Sequence, residues 1–201
     1  LLFQQVWRCA MNLFNFNHQR RFREFHPQRG NILIETAVTL PFLLILLLGV
    51  VEVSRYVLLH QKLDRAATTV ADLVSRSDGL GVGELDDYFV AAERILQPFT
   101  FEGDGVVIVS SLYREDADSD PVVQWQQQGA GTLADSSQFG AEGAGAVLPT
   151  GFFLNPSENT IAVEVIYDYD PWLFPDVIPT ETIRHMSLFR PRIDDLVTLG
   201  P

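Results

Sequence analysis

The dominant feature of the chain is an apolar run over residues 31–51, NILIETAVTLPFLLILLLGVV, in which Glu35 is the single charged residue. A helix rises ~1.5 Å per residue, so about 20 such residues cross a bilayer core of ~30 Å. A buried core helix is the alternative, but a leucine-rich run that is apolar on all sides fits a membrane better. A cleaved signal peptide fits less well, because the run is long and no small-x-small site follows it directly. The pattern therefore predicts a transmembrane helix.

The helical pattern continues past the apolar run, because apolar positions spaced alternately by four and three form an a/d seam. The seam consists of Gly49, Val53, Tyr56, His60, Leu63, Ala67, Val70 and Val74. No Gly or Pro interrupts it before Gly79, so one helix is predicted over 31–76, half in the membrane and half in water. Pro41 lies inside this helix and is expected to kink it, since its ring removes a backbone hydrogen bond. The seam could pack on the chain's own C-terminal domain or on a partner, and both alternatives stay open.

Residues 77–201 are predicted to form a small α+β domain. Residues 77–83 are a hinge, and residues 84–99 have the apolar spacing of an amphipathic helix that covers a sheet and ends at Pro98. Strands are predicted at 105–113, 122–127, 160–169 and 182–190, in a mainly antiparallel sheet. The third strand alternates with a period of two. Residues 129–151 contain six glycines and form a long loop, which is either functional or mobile.

The charge distribution indicates how the chain is inserted. Residues 1–30 carry five Arg and one Glu, a net charge of +4, whereas residues 31–201 carry nine Lys or Arg and twenty-five acids, a net charge of −16. A basic leader stays in the cytoplasm, so the acidic part lies outside it. The acidic part also argues against a nucleic-acid partner. The single cysteine, Cys9, lies in the leader, and we expect translation to begin at Met11.

The stretch R-G-N-I-L-I-E at the start of the run carries the candidate chemistry. Gly30 suits an extended backbone in a protease cleft, and Arg29 and its basic neighbours hold the leader at the cytoplasmic surface. Cleavage after Gly30 would create an α-ammonium on Asn31, which the helix dipole disfavours. Glu35 is costly in hydrocarbon and could neutralise that ammonium, its own or a neighbour's. Taken alone, Glu35 could also be an ordinary acid of the first helical turn.

On these residues, the segment from Gly30 to Val74 resembles the N-terminal segment of TadE-like pseudopilins of the bacterial tight-adherence (Tad) pilus system. The residues that carry the resemblance are Gly30, Glu35, Pro41, Gly49, Glu52, Arg55, Leu63, Ala66 and Ala67. A weaker likeness extends to IAVEVIYDYDPW, at residues 161–172. The resemblance implies processing between Gly30 and Asn31 by a prepilin peptidase of the inner membrane, with other pilins as partners.

The same resemblance implies a role in pilus assembly and no catalysis. Thr36 follows Glu35 where the major pilin of that system has Tyr, and a body of some 125 residues follows the helix. Both features favour a minor pilin or assembly factor. The candidate helix–helix contacts are Gly49, Glu52, Arg55, Leu63 and Ala67. Glu52 and Arg55 could equally be an ordinary i,i+3 pair at the membrane edge.

The remaining polar motifs predict no enzyme, cofactor or metal site. The D-x-D-x-D run of Asp116, Asp118 and Asp120 lacks the glycine and glutamate of a calcium loop, so it is predicted to be a solvated acidic turn. The four histidines show no ligand spacing, and the hydrolase, phosphate-loop and zinc-protease motifs are missing from the sequence. The alternative function is an uncleaved single-pass membrane protein with a periplasmic binding domain.

Overall fold

The computed structural model describes residues 28–173, 175, 178–193 and 195–200, and the predicted leader lies outside them up to residue 27. Helix α1 spans Gln28–Val74 and helix α2 spans Val82–Leu96. Four strands follow, β1 over Gly105–Arg114, β2 over Val122–Gly129, β3 over Glu158–Tyr169 and β4 over Glu181–Phe189. The predicted fold class is confirmed: a long N-terminal apolar helix precedes a second helix and a small antiparallel sheet, in an α+β arrangement.

The described residues divide into two compact units. The first ends at Leu44 and holds the N-terminal part of α1, and the second begins at Ile45 and holds everything after it. In the first unit, every side chain from Ile32 onward is exposed. Among the described residues, α1 is the one helix long and apolar enough to cross a membrane. Pro41 lies within this helix, and its kink stays a prediction.

The sheet has the strand order β2-β1-β3-β4, and each neighbouring pair is antiparallel. Of the two central strands, β1 pairs with β3 along its whole length, with Val109 opposite Val163 and Gly105 opposite Tyr167. Both strands are buried at nearly every position and not only at alternate ones. Because side chains of a strand point alternately to opposite faces, both faces of this sheet must be covered.

The two helices cover the first face. Alternate residues of the central strands, Val107 and Val109 on β1 and Val163 and Val165 on β3, belong to a core cluster with both helices. The cluster's helical members include Leu59, Leu63, Ala66, Ala67, Val70, Ala71, Val74, Leu85, Phe89, Ala92 and Leu96. From Tyr56 onward, the a/d seam therefore packs on the chain's own domain, whereas Val53 nearer the apolar run is 58% exposed.

The glycine-rich segment between β2 and β3 covers the second face. Phe139 and Leu154 of this segment are buried against Leu112, Val123 and Ala162. Leu133 packs on a third cluster, formed by Val106, Ile108 and Ile166. The segment thus forms the second wall of the core, a role that the sequence analysis did not predict.

A buried ionic network holds this segment on the sheet. Glu164 of β3 is fully buried and accepts hydrogen bonds from the Ser137 hydroxyl and from the Gln138 backbone N–H. Arg184 of β4 donates from Nη1 to Glu164 Oε1 at 2.9 Å and from Nη2 to Asp135 Oδ2 at 2.9 Å. A buried carboxylate needs such partners, because its desolvation is otherwise unfavourable.

Candidate functional site

The candidate residues of the sequence analysis all lie on α1. Gly30 and Asn31 are inside the helix, and Glu35 is an exposed residue of the first unit. Gly49 is partly exposed, and a methyl group added there would meet nothing within 4 Å. The processing at Gly30 and the charge neutralisation by Glu35 stay predictions.

The other candidate contacts belong to the second unit. Leu63 is fully buried and Ala67 is 1% exposed in the domain core, so the contacts that these two side chains make are with their own chain. Glu52 is also fully buried, whereas the side chain of Arg55 is 31% exposed. The i,i+3 pair weighed from the sequence is present, with Arg55 Nη1 4.0 Å from Glu52 Oε1.

Glu52 directly follows the apolar run and holds the chain beyond β3 against the helix. The hydroxyl of Tyr169, the last residue of β3, donates to Glu52 Oε1. The backbone N–H of Trp172 donates to Oε1 at 3.1 Å, and the backbone N–H of Leu173 donates to Oε2 at 3.1 Å. Three donors on one carboxylate satisfy the buried charge with charge-assisted hydrogen bonds. Sequence reasoning missed these donors, although an acid at the edge of an apolar run requires partners.

Arg55 lies beside this carboxylate and contacts two aromatic rings. Its guanidinium carbon lies 4.9 Å from the ring centroid of Trp172 and 5.7 Å from that of Phe99. Both distances are within the range of cation–π contacts. The Trp172 side chain is nevertheless 75% exposed, so the indole stands out from the protein next to the end of the apolar run.

A line of aromatic rings continues from this point along α1. Tyr56 makes edge contacts with Tyr169, at a centroid distance of 5.2 Å, and with His60, at 4.5 Å. The Tyr56 hydroxyl donates to Glu181 Oε2 at 3.2 Å. Burial, and then the hydrogen bond to Glu52, raise the pKa of Tyr169, so its hydroxyl stays protonated and can donate.

The line ends at a histidine pair that joins α1 to β4. His60 Nδ1 lies 2.9 Å from His185 Nε2, and Asp64 Oδ1 lies 3.9 Å from His185 Nδ1. A hydrogen bond between two imidazole nitrogens needs one donor and one acceptor, so at least one ring must be neutral. Burial, and then the neighbouring His60, lower the pKa of His185, and Asp64 opposes this shift.

Among the described residues, no group of three or more His, Cys, Asp or Glu side chains is arranged so that it could hold a metal ion. Asp116 and Asp118 lie in an exposed turn, and the Arg114 guanidinium donates to the carbonyl oxygens of Asp116, Ala117 and Ser119. A second acidic surface surrounds an open cavity of about 330 Å³ at the end of the sheet near Glu52. Its lining acids are Asp104, Asp168, Asp170 and Glu181.

The helix and the domain together define a single-pass membrane protein in which a long apolar helix continues into a small α+β domain. Residues 30–72 match the family model described as TadE-like protein, which confirms the resemblance of this segment to TadE-like pseudopilins. The match lies wholly on α1 and includes Glu35, Glu52 and Arg55. It supports a Tad pilus-related protein of a pilin-like structural family. Comparisons with curated proteins and with solved structures gave no significant match.

Proposed function

We propose that this chain is a TadE-like pseudopilin that takes part in assembling the Tad pilus used for adherence. The observation that carries the proposal is that the helix matched by the family model has two parts with different surroundings. Every side chain over residues 32–48 is exposed, whereas from Leu59 onward one side of the helix is built into a folded domain. Such a helix offers its apolar part to lipid or to other helices and carries a domain outside the membrane.

The proposed topology places the leader in the cytoplasm and the α+β domain in the periplasm, with α1 crossing the inner membrane. Its support is the charge asymmetry, since residues 1–30 have a net charge of +4 and the rest of the chain has a net charge of −16. Positive flanks are retained on the cytoplasmic side. Partners in this setting are the prepilin peptidase and the other pilins and pseudopilins of the system.

The proposed processing step is hydrolysis of the Gly30–Asn31 peptide bond by the prepilin peptidase. It converts Asn31 into a new N-terminus at the start of an apolar helix. The exposed Glu35 then lies one helical turn from that ammonium, on its own helix, and is also available to a neighbouring helix. Pairing the two charges would offset part of the cost of holding each one in an apolar surrounding. Helices could then pack side by side.

Replacing Gly30 by Leu in the full chain tests the processing step. We expect the membrane-bound protein to keep its leader, which intact-protein mass and N-terminal sequencing both detect. Gly49→Ala is the matched control on the same helix, because an added methyl group meets nothing within 4 Å there, and it should be processed normally. If unaltered protein retains residues 11–30, the chain is instead the uncleaved single-pass protein with a periplasmic binding domain.

Replacing Glu35 tests the assembly role separately. Glu35→Ala should leave membrane insertion and leader removal intact while reducing the number of pili on the cell surface. Glu35→Asp keeps the carboxylate and should retain part of the function. Normal piliation of the Ala variant would contradict charge neutralisation without affecting the family assignment.

A further inference from the structure

We propose that Trp172 and Leu173, at the start of the β3–β4 loop, form a second membrane contact that enters the headgroup region where α1 leaves the bilayer. The contact needs only the membrane span of α1, so it does not depend on processing at Gly30. The candidate occupant of this surface is lipid, and a neighbouring protein is the competing one.

The first argument is position. The span of apolar residues ends at Val51, and Glu52 is the next residue along the helix. Both backbone N–H groups of the proposed contact, those of Trp172 and Leu173, donate to the carboxylate of Glu52 at 3.1 Å. The backbone of Trp172 and Leu173 is therefore fixed to α1 at the level where the apolar run meets the aqueous phase.

The second argument is the exposure and chemistry of the side chain. Trp172 is 75% exposed, although its backbone is held by a fully buried carboxylate. Indole rings concentrate at membrane–water interfaces, where an apolar body and a polar N–H are both accommodated. The Arg55 guanidinium carbon lies 4.9 Å from the centroid of this ring, so a cation–π contact orients the indole beside the helix.

The third argument is that the apolar surface of the helix continues past Glu52. Val50 is 54% exposed, Val53 is 58% exposed and Val57 is 47% exposed. The exposed apolar surface of α1 thus extends through the level at which the loop is attached. A bilayer interface at this level covers the indole together with these valines.

The acidic residues near Trp172 predict which lipid headgroups the contact favours. Asp168, Asp170 and Glu181 line the acidic cavity at the same end of the sheet. Anionic headgroups would be repelled there, so the contact should not require anionic lipid. We expect the Trp172 indole to insert into zwitterionic bilayers at least as well as into anionic ones.

The test uses the full chain in vesicles of phosphatidylcholine whose acyl chains carry bromine close to the headgroups. Trp7→Phe removes the tryptophan of the leader, and the spectrum of Trp7→Phe/Trp172→Phe is subtracted to remove the contribution of the buried Trp125. We expect the Trp172 emission to be quenched by the brominated lipid and not by unlabelled lipid. Adding anionic lipid should not increase the quenching.

The matched control places an exposed indole far from Glu52. Phe153 is 78% exposed, and the carbonyl of the next residue, Leu154, accepts a hydrogen bond from Arg114. Arg114 is the last residue of β1, at the opposite end of the strand from Gly105, which pairs with Tyr167 near Glu52. In the background of Trp7→Phe/Trp172→Phe, Phe153→Trp should show no lipid quenching. Near-ultraviolet circular dichroism of Trp125 reports that each variant is folded.

Two results would overturn the proposal. The first is that Trp172 is quenched no more than the indole at position 153, which would leave the ring in water. The second is that bromine has no effect while the emission shifts with the protein-to-lipid ratio, which would assign the surface to a neighbouring protein.

Discussion

The carboxylate of Glu52 on α1 accepts the hydroxyl of Tyr169 at the end of β3, so two residues 117 positions apart join the membrane-proximal helix to the sheet. The backbone N–H groups of Trp172 and Leu173 donate hydrogen bonds to the same carboxylate. The junction is therefore one hydrogen-bonded unit, in which a charge at the membrane edge positions the chain that follows the central strand.

Removing the Tyr169 hydroxyl tests the strength of this junction. A hydrogen bond to a charged group contributes about 1.5–3 kcal/mol, so Tyr169→Phe should lower the free energy of unfolding of the full chain in detergent by that amount. Denaturation followed by fluorescence measures it. Tyr113→Phe on β1 is the control, because that hydroxyl has no hydrogen-bond partner among the described residues, and it should change stability little. If both variants lost the same free energy of unfolding, the hydrogen bond from Tyr169 to Glu52 would not stabilise the junction.

The ionic network on the other sheet face makes a second prediction. Arg184→Met leaves the fully buried Glu164 without its cation, and breaking a buried ion pair costs about 3–5 kcal/mol. Adding Glu164→Gln should recover part of that loss, because the uncompensated charge is then gone. The exposed i,i+4 pair of Arg76 and Asp72 is the comparison, since Arg76→Met should cost only about 0.3–0.5 kcal/mol. A loss for Arg184→Met as small as that of Arg76→Met would contradict the network's structural role.

Much of the fold could be predicted from the sequence because its patterns are local. The transmembrane run, the amphipathic second helix and the four strands follow from periodicity and from Gly and Pro, and the observed strands lie within two residues of the predicted ones. The prediction for α2 was less accurate at its C-terminal end, where the helix stops at Leu96 and the apolar pattern continues to Phe99. A periodic pattern shows which face is apolar but not where backbone hydrogen bonding ends.

The junction itself could not be predicted, because its partners are distant in sequence. Glu52 and Arg55 are spaced as an ordinary helical pair, and nothing local shows that Tyr169 reaches the same carboxylate. The second sheet face was missed for a related reason. The glycine-rich segment has no periodicity, yet the side chains of Phe139 and Leu154 are buried in the core on this face. Isolated apolar residues in a loop indicate burial only when the opposite surface is known.

The histidine pair predicts a pH dependence of stability. Burial and His60 lower the folded-state pKa of His185, while Asp64 opposes the shift and Tyr56 makes an edge contact with His60 from the same helix. The unfolded chain, with a histidine pKa of about 6.5, then binds more protons than the folded one. Stability from this group is fully present above that pH and is lost as pH falls through it.

The measurement is the free energy of unfolding at about pH 8 and about pH 5, on either side of the histidine range. The unaltered chain should lose more stability on acidification than His185→Gln, in which the group no longer titrates. Effects of the many carboxylates are common to both proteins and cancel in the difference. An identical pH dependence in the two proteins would contradict a lowered pKa of His185 in the folded state.

The proposed topology predicts opposite accessibility for cysteines at the two ends of the chain. Cys9, the only cysteine of the sequence, precedes the expected start at Met11, so the cytoplasmic probe is placed in the leader as Asn17→Cys in a Cys9→Ser background. Because leader removal would also remove this probe, it is read together with Gly30→Leu. In spheroplasts, a membrane-impermeant maleimide should leave the cysteine at position 17 unlabelled until the cells are lysed. Phe153→Cys in a Cys9→Ser background should be labelled before lysis, because this exposed position belongs to the domain expected in the periplasm. Labelling in the reverse order would indicate the opposite membrane orientation. Gly30 would then lie on the side of the membrane that a peptidase acting at the cytoplasmic face cannot reach.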